Sequence, residues 1–281
     1  MKRFIRLAGM VCLAAAFLFG SWQLIQYGRG LSAVQNSEDA ALELALPPEE
    51  PVVSLPETRV PLTDVPVRQE DPAPIPVTLP EPEPADENAA YLLSMDLEAL
   101  REVNPDVLGW ICIPDSRISF PLMEAEDNQE YLYHTWDKKS SKYGSIFLEC
   151  RNSRDLSDFN TLIYGHNMLT EHMFGTLTEY KDQSWLDAHP YVYIRLDSGV
   201  YRYRIFSVYE AQVVSNTYRL IFEDDARRQE ALDLYTSSNW LKTGIIPTTA
   251  DRILTLSTCT GRGTDHLRFV VQAVLETITA E

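Results

Sequence analysis

Few residues in this chain can staple a fold or ligate a metal. Among 281 residues there are four cysteines, five histidines and twelve glycines. No Cys-x-x-Cys or His-x-x-x-His pair occurs, which argues against a metal centre, and no bound cofactor is expected. The cysteines are Cys12, Cys112, Cys150 and Cys259; the three outside the amino-terminal segment are an odd set, unlike a stapled secreted fold, and leave at least one thiol free. Cys112 and Cys150 stand in strand-like apolar runs, where a thiol is expected to act as a small buried hydrophobe. Basic residues are also scarce. The net charge is −17, and a net-acidic chain argues against a nucleic-acid partner. No internal repeat is present.

Acidic residues are missing from positions 1–30, where Lys2, Arg3, Arg6 and Arg29 stand instead. From Leu7 to Ile25 the chain is uncharged and mostly apolar, close to the roughly 20 residues that cross a bilayer as a helix. The leading basic residues favour a cytoplasmic amino terminus. A cleaved signal peptide would have a shorter apolar region and small residues at its end, where this chain has Phe17, Leu18, Phe19 and Trp22. Residues 1–30 therefore read as an uncleaved single-pass anchor, with all that follows outside the cell membrane.

Proline is concentrated, with 12 of the 17 between positions 47 and 84, interleaved with Glu, Val and Thr. Residues 31–90 carry 13 acidic and 2 basic side chains. Such a segment buries too little apolar surface to offset its ordering entropy. Residues 31–88 are therefore expected to form a disordered, acidic, Pro-rich stalk, up to roughly 170 Å long at about 3 Å per residue. The string Leu55-Pro56-Glu57-Thr58 within it has Arg59 and no apolar tail after it, and is ascribed to chance.

Residues 89–281 carry the pattern of a folded domain. Leu93, Leu97, Leu100 and Val103 recur at helical spacing, and Asn104-Pro105 ends that helix. Eight β-rich runs follow, at 109–113, 118–122, 144–148, 161–164, 191–195, 200–214, 252–257 and 267–275. Strands of that number between turn residues imply a mainly β fold, a barrel or sandwich. Helical interruptions are expected near 173–180 and 226–236, the second capped by Asp224 or Asp225.

Cys259 differs from the other thiols. It closes the run Ile253-Leu-Thr-Leu-Ser-Thr and precedes the polar loop Thr260-Gly-Arg-Gly-Thr-Asp-His266. A cysteine at a strand end is more often inert packing, but Arg262 and Arg268 nearby would favour its thiolate. Nucleophilic cysteine chemistry also needs an acid/base and a group for the developing oxyanion. His166 follows an apolar strand in Tyr164-Gly-His-Asn-Met168, and His172 lies six residues on. Local setting ranks the first only slightly above the second.

Together, Thr255-Leu-Ser-Thr-Cys259, Tyr164-Gly-His-Asn-Met168 and Arg268 resemble the sortases, and most closely their class B. Supporting stretches are Asn104-Pro-Asp-Val-Leu-Gly-Trp, Asn128-Gln-Glu-Tyr-Leu132, Gly144-Ser-Ile-Phe and Met173-Phe-Gly-Thr-Leu, and the likeness spans about 91–277. The resemblance implies an eight-stranded sortase-type β-barrel with an amino-terminal helical addition and a helix between late strands.

It also implies a cysteine transpeptidase at the surface of a Gram-positive cell. Cys259 would cleave a sorting motif after Thr through a thioester, with His166 as acid and base and Arg268 at the oxyanion. Arg262 remains the local competitor for that last role. Asn128, Leu132, Tyr218 and Ser257 would contact the sorting peptide, and the class points to Asn-Pro-x-Thr-like signals. The implied partners are surface proteins with a carboxy-terminal sorting signal, and an amine on a peptidoglycan cross-bridge or lipid II. A purely hydrolytic cysteine peptidase and a non-catalytic surface adhesion module are the alternatives.

Overall fold

Eight strands close on themselves in the computed structural model, which describes residues 2–47, 86–168, 170, 172–259 and 266–280. They are β1 (Val107–Cys112), β2 (Ser119–Met123), β3 (Ile146–Leu148), β4 (Asn160–Tyr164), β5 (Tyr191–Leu196), β6 (Gly199–Gln212), β7 (Ile253–Cys259) and β8 (Leu267–Thr279). The barrel order is β1-β2-β3-β4-β7-β8-β6-β5. Two neighbouring pairs, β2–β3 and β4–β7, run parallel; the rest are antiparallel. Each of the eight β-rich runs in the sequence is one of these strands.

The barrel is filled by inward residues such as Ile111, Leu122, Ile163, Ile194, Leu254, Leu256 and Val271, each at most 1% exposed. Closure leaves no unpaired edge, so main-chain polar groups are satisfied around the ring. A second cluster lies outside β1, beneath α2 (Glu87–Leu93) and α3 (Leu97–Val103), and joins Leu92, Leu100, Trp110 and Trp136. A third packs α5 (Asp225–Ser238) through Ala231, Leu232 and Tyr235 onto Phe206, Val270 and Val274. A short α4 (Gln183–Ala188) follows a 3-10 stretch over Gly175–Lys181.

Three local expectations change. The helix anticipated across 93–103 is two helices, because Asp86 caps Ala89 N–H and Asp96 caps Ala99 N–H, each at 3.0 Å. An aspartate acting as N-cap begins a new helix wherever it can satisfy a free N–H. Cys150 is exposed, two residues past the end of β3, while Cys112 is half-buried and its thiol is pushed up to about 11 by burial.

The third change concerns residues 31–46, expected to be stalk. They continue α1 (Lys2–Ala45), which lies against the domain. Val34, Ser37, Ala41 and Ala45 are all buried, spaced three and four residues apart on one helical face. Trp136 Nε1 donates to the Ser37 carbonyl at 2.6 Å, and Asp96 N–H to the Ala45 carbonyl at 2.7 Å. Residues 48–85, including Leu55–Thr58, lie outside the described residues. Among the described residues no helix is long and apolar enough to cross a membrane. The side chains of residues 2–15, which carry much of the expected span, are outside that description.

Candidate active site

β4 and β7 are parallel neighbours, paired Tyr164 with Ser257. Two residues beyond each member of that pair stand His166 and Cys259, so both come off the same rim at the same level. Gly165 N–H donates to the Ser257 carbonyl at 3.3 Å, carrying the ladder to the residue before His166. β8 enters at that rim in the opposite sense, and Cys259 pairs directly with Arg268. Opposite positions of an antiparallel pair share one face of the sheet. The Cys259 side chain, and Arg262 with the rest of 260–265, lie outside the described residues.

A cleft of about 480 Å³ opens at this rim. Its walls include Asn128, Leu132, His166, Tyr218, Ser257 and Arg268, the described side chains to which the resemblance gives a role. Phe147, Arg151, Tyr164 and Val213 also line it. His172 does not; it is turned to α1, with Nδ1 2.9 Å from Glu38 Oε2 and Nε2 3.0 Å from Gln35 Nε2.

His166 is held by main chain. Its Nε2 is 2.9 Å from the Leu132 carbonyl, and a carbonyl only accepts, so Nε2 carries the hydrogen. Nδ1 is then the nitrogen whose proton can come and go. Phe174 N–H donates to the His166 carbonyl at 3.0 Å, fixing the loop after it. Gly144, at φ +61°, closes the other side. A β-carbon there would lie 2.9 Å from the Leu132 carbonyl oxygen and 3.0 Å from the His166 ring.

Two buried polar networks shape the walls. Glu149, 2% exposed, accepts from Arg151 Nε at 2.7 Å, Asn128 Nδ2 at 2.8 Å and the Tyr164 hydroxyl at 3.0 Å. Burial alone would raise its carboxyl, but these donors outweigh it and hold the group below the usual range. Asn128 is gripped at both ends, since its Oδ1 also accepts from Cys150 N–H at 2.9 Å. On the other wall, buried Asn160 donates to the Thr217 and Arg219 carbonyls at 3.1 and 3.0 Å. That fixes the turn bearing Tyr218, whose hydroxyl lies 3.0 Å from Ser257 Oγ, two residues before Cys259. Thr255 Oγ1 donates to Asn160 Oδ1 at 2.7 Å and accepts from Gln272 at 3.0 Å, binding β4, β7 and β8 beneath the rim.

Sequence reasoning did not single out Glu149, Arg151 or the role of Tyr164. Glu149 ends an apolar run, where nothing in the residue pattern marks a carboxylate as inward. Tyr164 stood within a recognised motif, and Arg151 is placed only by the turn after β3.

Residues 111–276 match the family model of the Sortase domain. Sortase B of Listeria monocytogenes is 35% identical over 193 residues, 65% of this chain and 74% of that protein. Sortase B of Staphylococcus aureus is 32% identical over 162 residues, 58% and 66% of the two chains. Among solved structures, a Staphylococcus aureus sortase B–substrate complex superposes with a TM-score of 0.61 at 30% identity, covering 65% of this chain and 85% of that one. Sortase B of Clostridium perfringens gives 0.61 at 31%, covering 65% and 100%.

Proposed function

The chain belongs to the sortase family, as a cysteine transpeptidase of class B, and from this we propose that it joins sorting-signal proteins to a cell-wall amine through Cys259, His166 and Arg268. The observation that supports this assignment best is the strand register, with Cys259 opposite Arg268 and level with His166 at the mouth of one cleft.

The Cys259 thiolate attacks the carbonyl carbon of the motif threonine. The carbon–nitrogen bond to the next residue then breaks, leaving a thioester. The imidazolium of His166 gives its Nδ1 proton to the departing amine, while Nε2 stays bonded to Leu132. Arg268 offsets the charge on the tetrahedral oxygen, and a planar fork of donors suits it to that task. An acceptor amine next attacks the thioester, passes a proton to His166 and releases the thiolate. Water in its place gives hydrolysis. Asn128, Leu132, Tyr218 and Ser257 border the peptide path. The membrane anchor over residues 7–25, with the domain outside, belongs to the same reading and rests on the residue pattern.

The test uses purified protein, x-Pro-x-Thr-x peptides and an added amine such as triglycine. Wild type should release the leaving fragment and couple the amine, and Cys259→Ala should do neither. Cleavage without the amine ever entering product would defeat the transpeptidase assignment.

A further inference from the structure

The Pro-rich segment is not placed where a stalk must be. Its upstream end follows α1, whose Ala41 and Ala45 are buried with Ala89, Leu92 and Met95. Its downstream end is Asp86, the cap of α2, which packs in the same cluster. The described residues on either side of the segment therefore lie on one face of the domain, so its length does not set the height of the domain above an anchor.

What joins anchor to domain is helix. α1 runs without a break, and from Tyr27 onward it is fastened to the domain. Tyr143 Oη donates to the Tyr27 carbonyl at 3.4 Å, the two rings meet edge to face at 6.3 Å, and a β-carbon on Gly30 would lie 3.2 Å from Tyr143. Ser37 Oγ donates to Asp137 at 3.1 Å and Glu38 pairs with His172.

Just before this fastened stretch the helix is exposed and mostly apolar, interrupted by Ser21, Gln23 and Gln26. Phe17, Leu18, Phe19, Trp22, Leu24 and Ile25 are each more than half exposed. Six large apolar side chains exposed together mark a surface that meets an apolar partner. Trp22 and Tyr27 stand where aromatic side chains mark the border between hydrocarbon and headgroups. Lys142 reaches from the domain over the Tyr27 ring, 4.9 Å from its centre, and has no carboxylate partner among the described residues. A hollow of about 800 Å³ lies between this lysine and the helix, where Phe17, Trp22, Leu24 and Tyr27 alternate with Ser21, Gln23 and Gln26: amphipathic on the helix side, cationic at the rim. Nearby Tyr133 is 58% exposed, and the exposed Lys139 pairs with Asp137 at 2.6 Å.

We propose that residues 133–143 rest on the phospholipid headgroups of the leaflet that α1 enters, with Lys142 against a lipid phosphate. The catalytic cleft is thereby held at a fixed, short height above the bilayer. This rests on the anchor reading above. The same lobe runs from Leu132, which holds His166, to Gly144, which abuts it, so the cleft lies immediately behind the lipid-facing surface.

The full chain is reconstituted in phosphatidylcholine vesicles containing phosphatidylglycerol. A dye sits on exposed Cys150, with Cys12 and Cys112 changed to Ser and Cys259 to Ala, and an acceptor dye sits on the headgroups. Replacing residues 50–82 by a ten-residue Gly/Ser loop should leave energy transfer unchanged. Ser32→Pro, which breaks the helix within its docked stretch, should lower it at least twofold, and Lys142→Glu should lower it in anionic but not zwitterionic vesicles. Transfer that rises as the segment is shortened, or that ignores Ser32→Pro and Lys142→Glu alike, would overturn the proposal while leaving the anchor intact. A chain that does not float with vesicles at all would overturn the anchor reading itself.

Discussion

Glu149 shows how one buried charge can organise a recognition surface. Three donors converge on it, and all three line the cleft: Asn128, Arg151 and Tyr164. Glu149→Gln keeps the volume but replaces one acceptor oxygen by a donor, so at least one of the three loses its partner. We expect kcat/KM for a sorting peptide to fall roughly tenfold or more, the scale of one lost charged hydrogen bond, with Glu149→Asp recovering part of it. The carboxyl is held below its ordinary range in the folded state, so its contribution to stability is complete above the unfolded value near 4.3 and is lost as pH falls through the folded value. Thermal melts from pH 7 to pH 3 should therefore show wild type losing stability on the acid side more steeply than Glu149→Gln. Parallel acid limbs would mean that the carboxylate is not held as described.

At the level of elements, α5 begins where Asp224 caps Arg227 N–H at 2.8 Å and ends beside β6, where Ser207 Oγ donates to the Tyr235 carbonyl. Asp224→Ala should cost about 1 kcal/mol, a fall in Tm of roughly 2–4 °C, with cleavage little changed because Asn160 holds the turn bearing Tyr218 through the Thr217 and Arg219 carbonyls. A large loss of activity in that variant would assign α5 a direct part in shaping the cleft. This cap and all eight strands were legible in the residues, since each depends on a local signal: a capping aspartate, or an apolar run ended by a turn. The placement of Cys259, His166 and Arg268 at one rim was legible only through their ordered motifs, because periodicity says nothing of which strands pair. The docked half of α1 was not legible. Val34, Ala41 and Ala45 form a helical stripe, but the prolines that begin at Pro47 dominate the composition of any window that includes them. A stripe of small residues is also a weak signal until the surface it meets is known.

For the whole molecule, that docking makes the amino-terminal helix part of the folded unit. Removing residues 1–47 uncovers the face of Ala89, Leu92 and Trp136 and takes Glu38 from His172 and Ser37 from Asp137. With one valine and two alanines returned to water, the loss is about 2 kcal/mol, or roughly 4–8 °C in Tm. The shortened chain should still cleave a soluble peptide, because no described cleft-lining residue lies before Asn128. An unchanged Tm would mean that the helix does not pack on the domain in solution.

The parallel pairing of β4 with β7 has a consequence for how such a protein can change over generations. Histidine and cysteine are 93 positions apart in the chain, yet each stands two residues past a shared rung, Tyr164 with Ser257. One residue gained or lost within either strand would turn one of them to the opposite side of the sheet. Length variation in the connections between β6 and α5 and between α5 and β7 leaves that rung untouched. Lineages can thus rebuild the loops that choose a client while inheriting the chemistry intact, and a new specificity need not pass through an inactive ancestor.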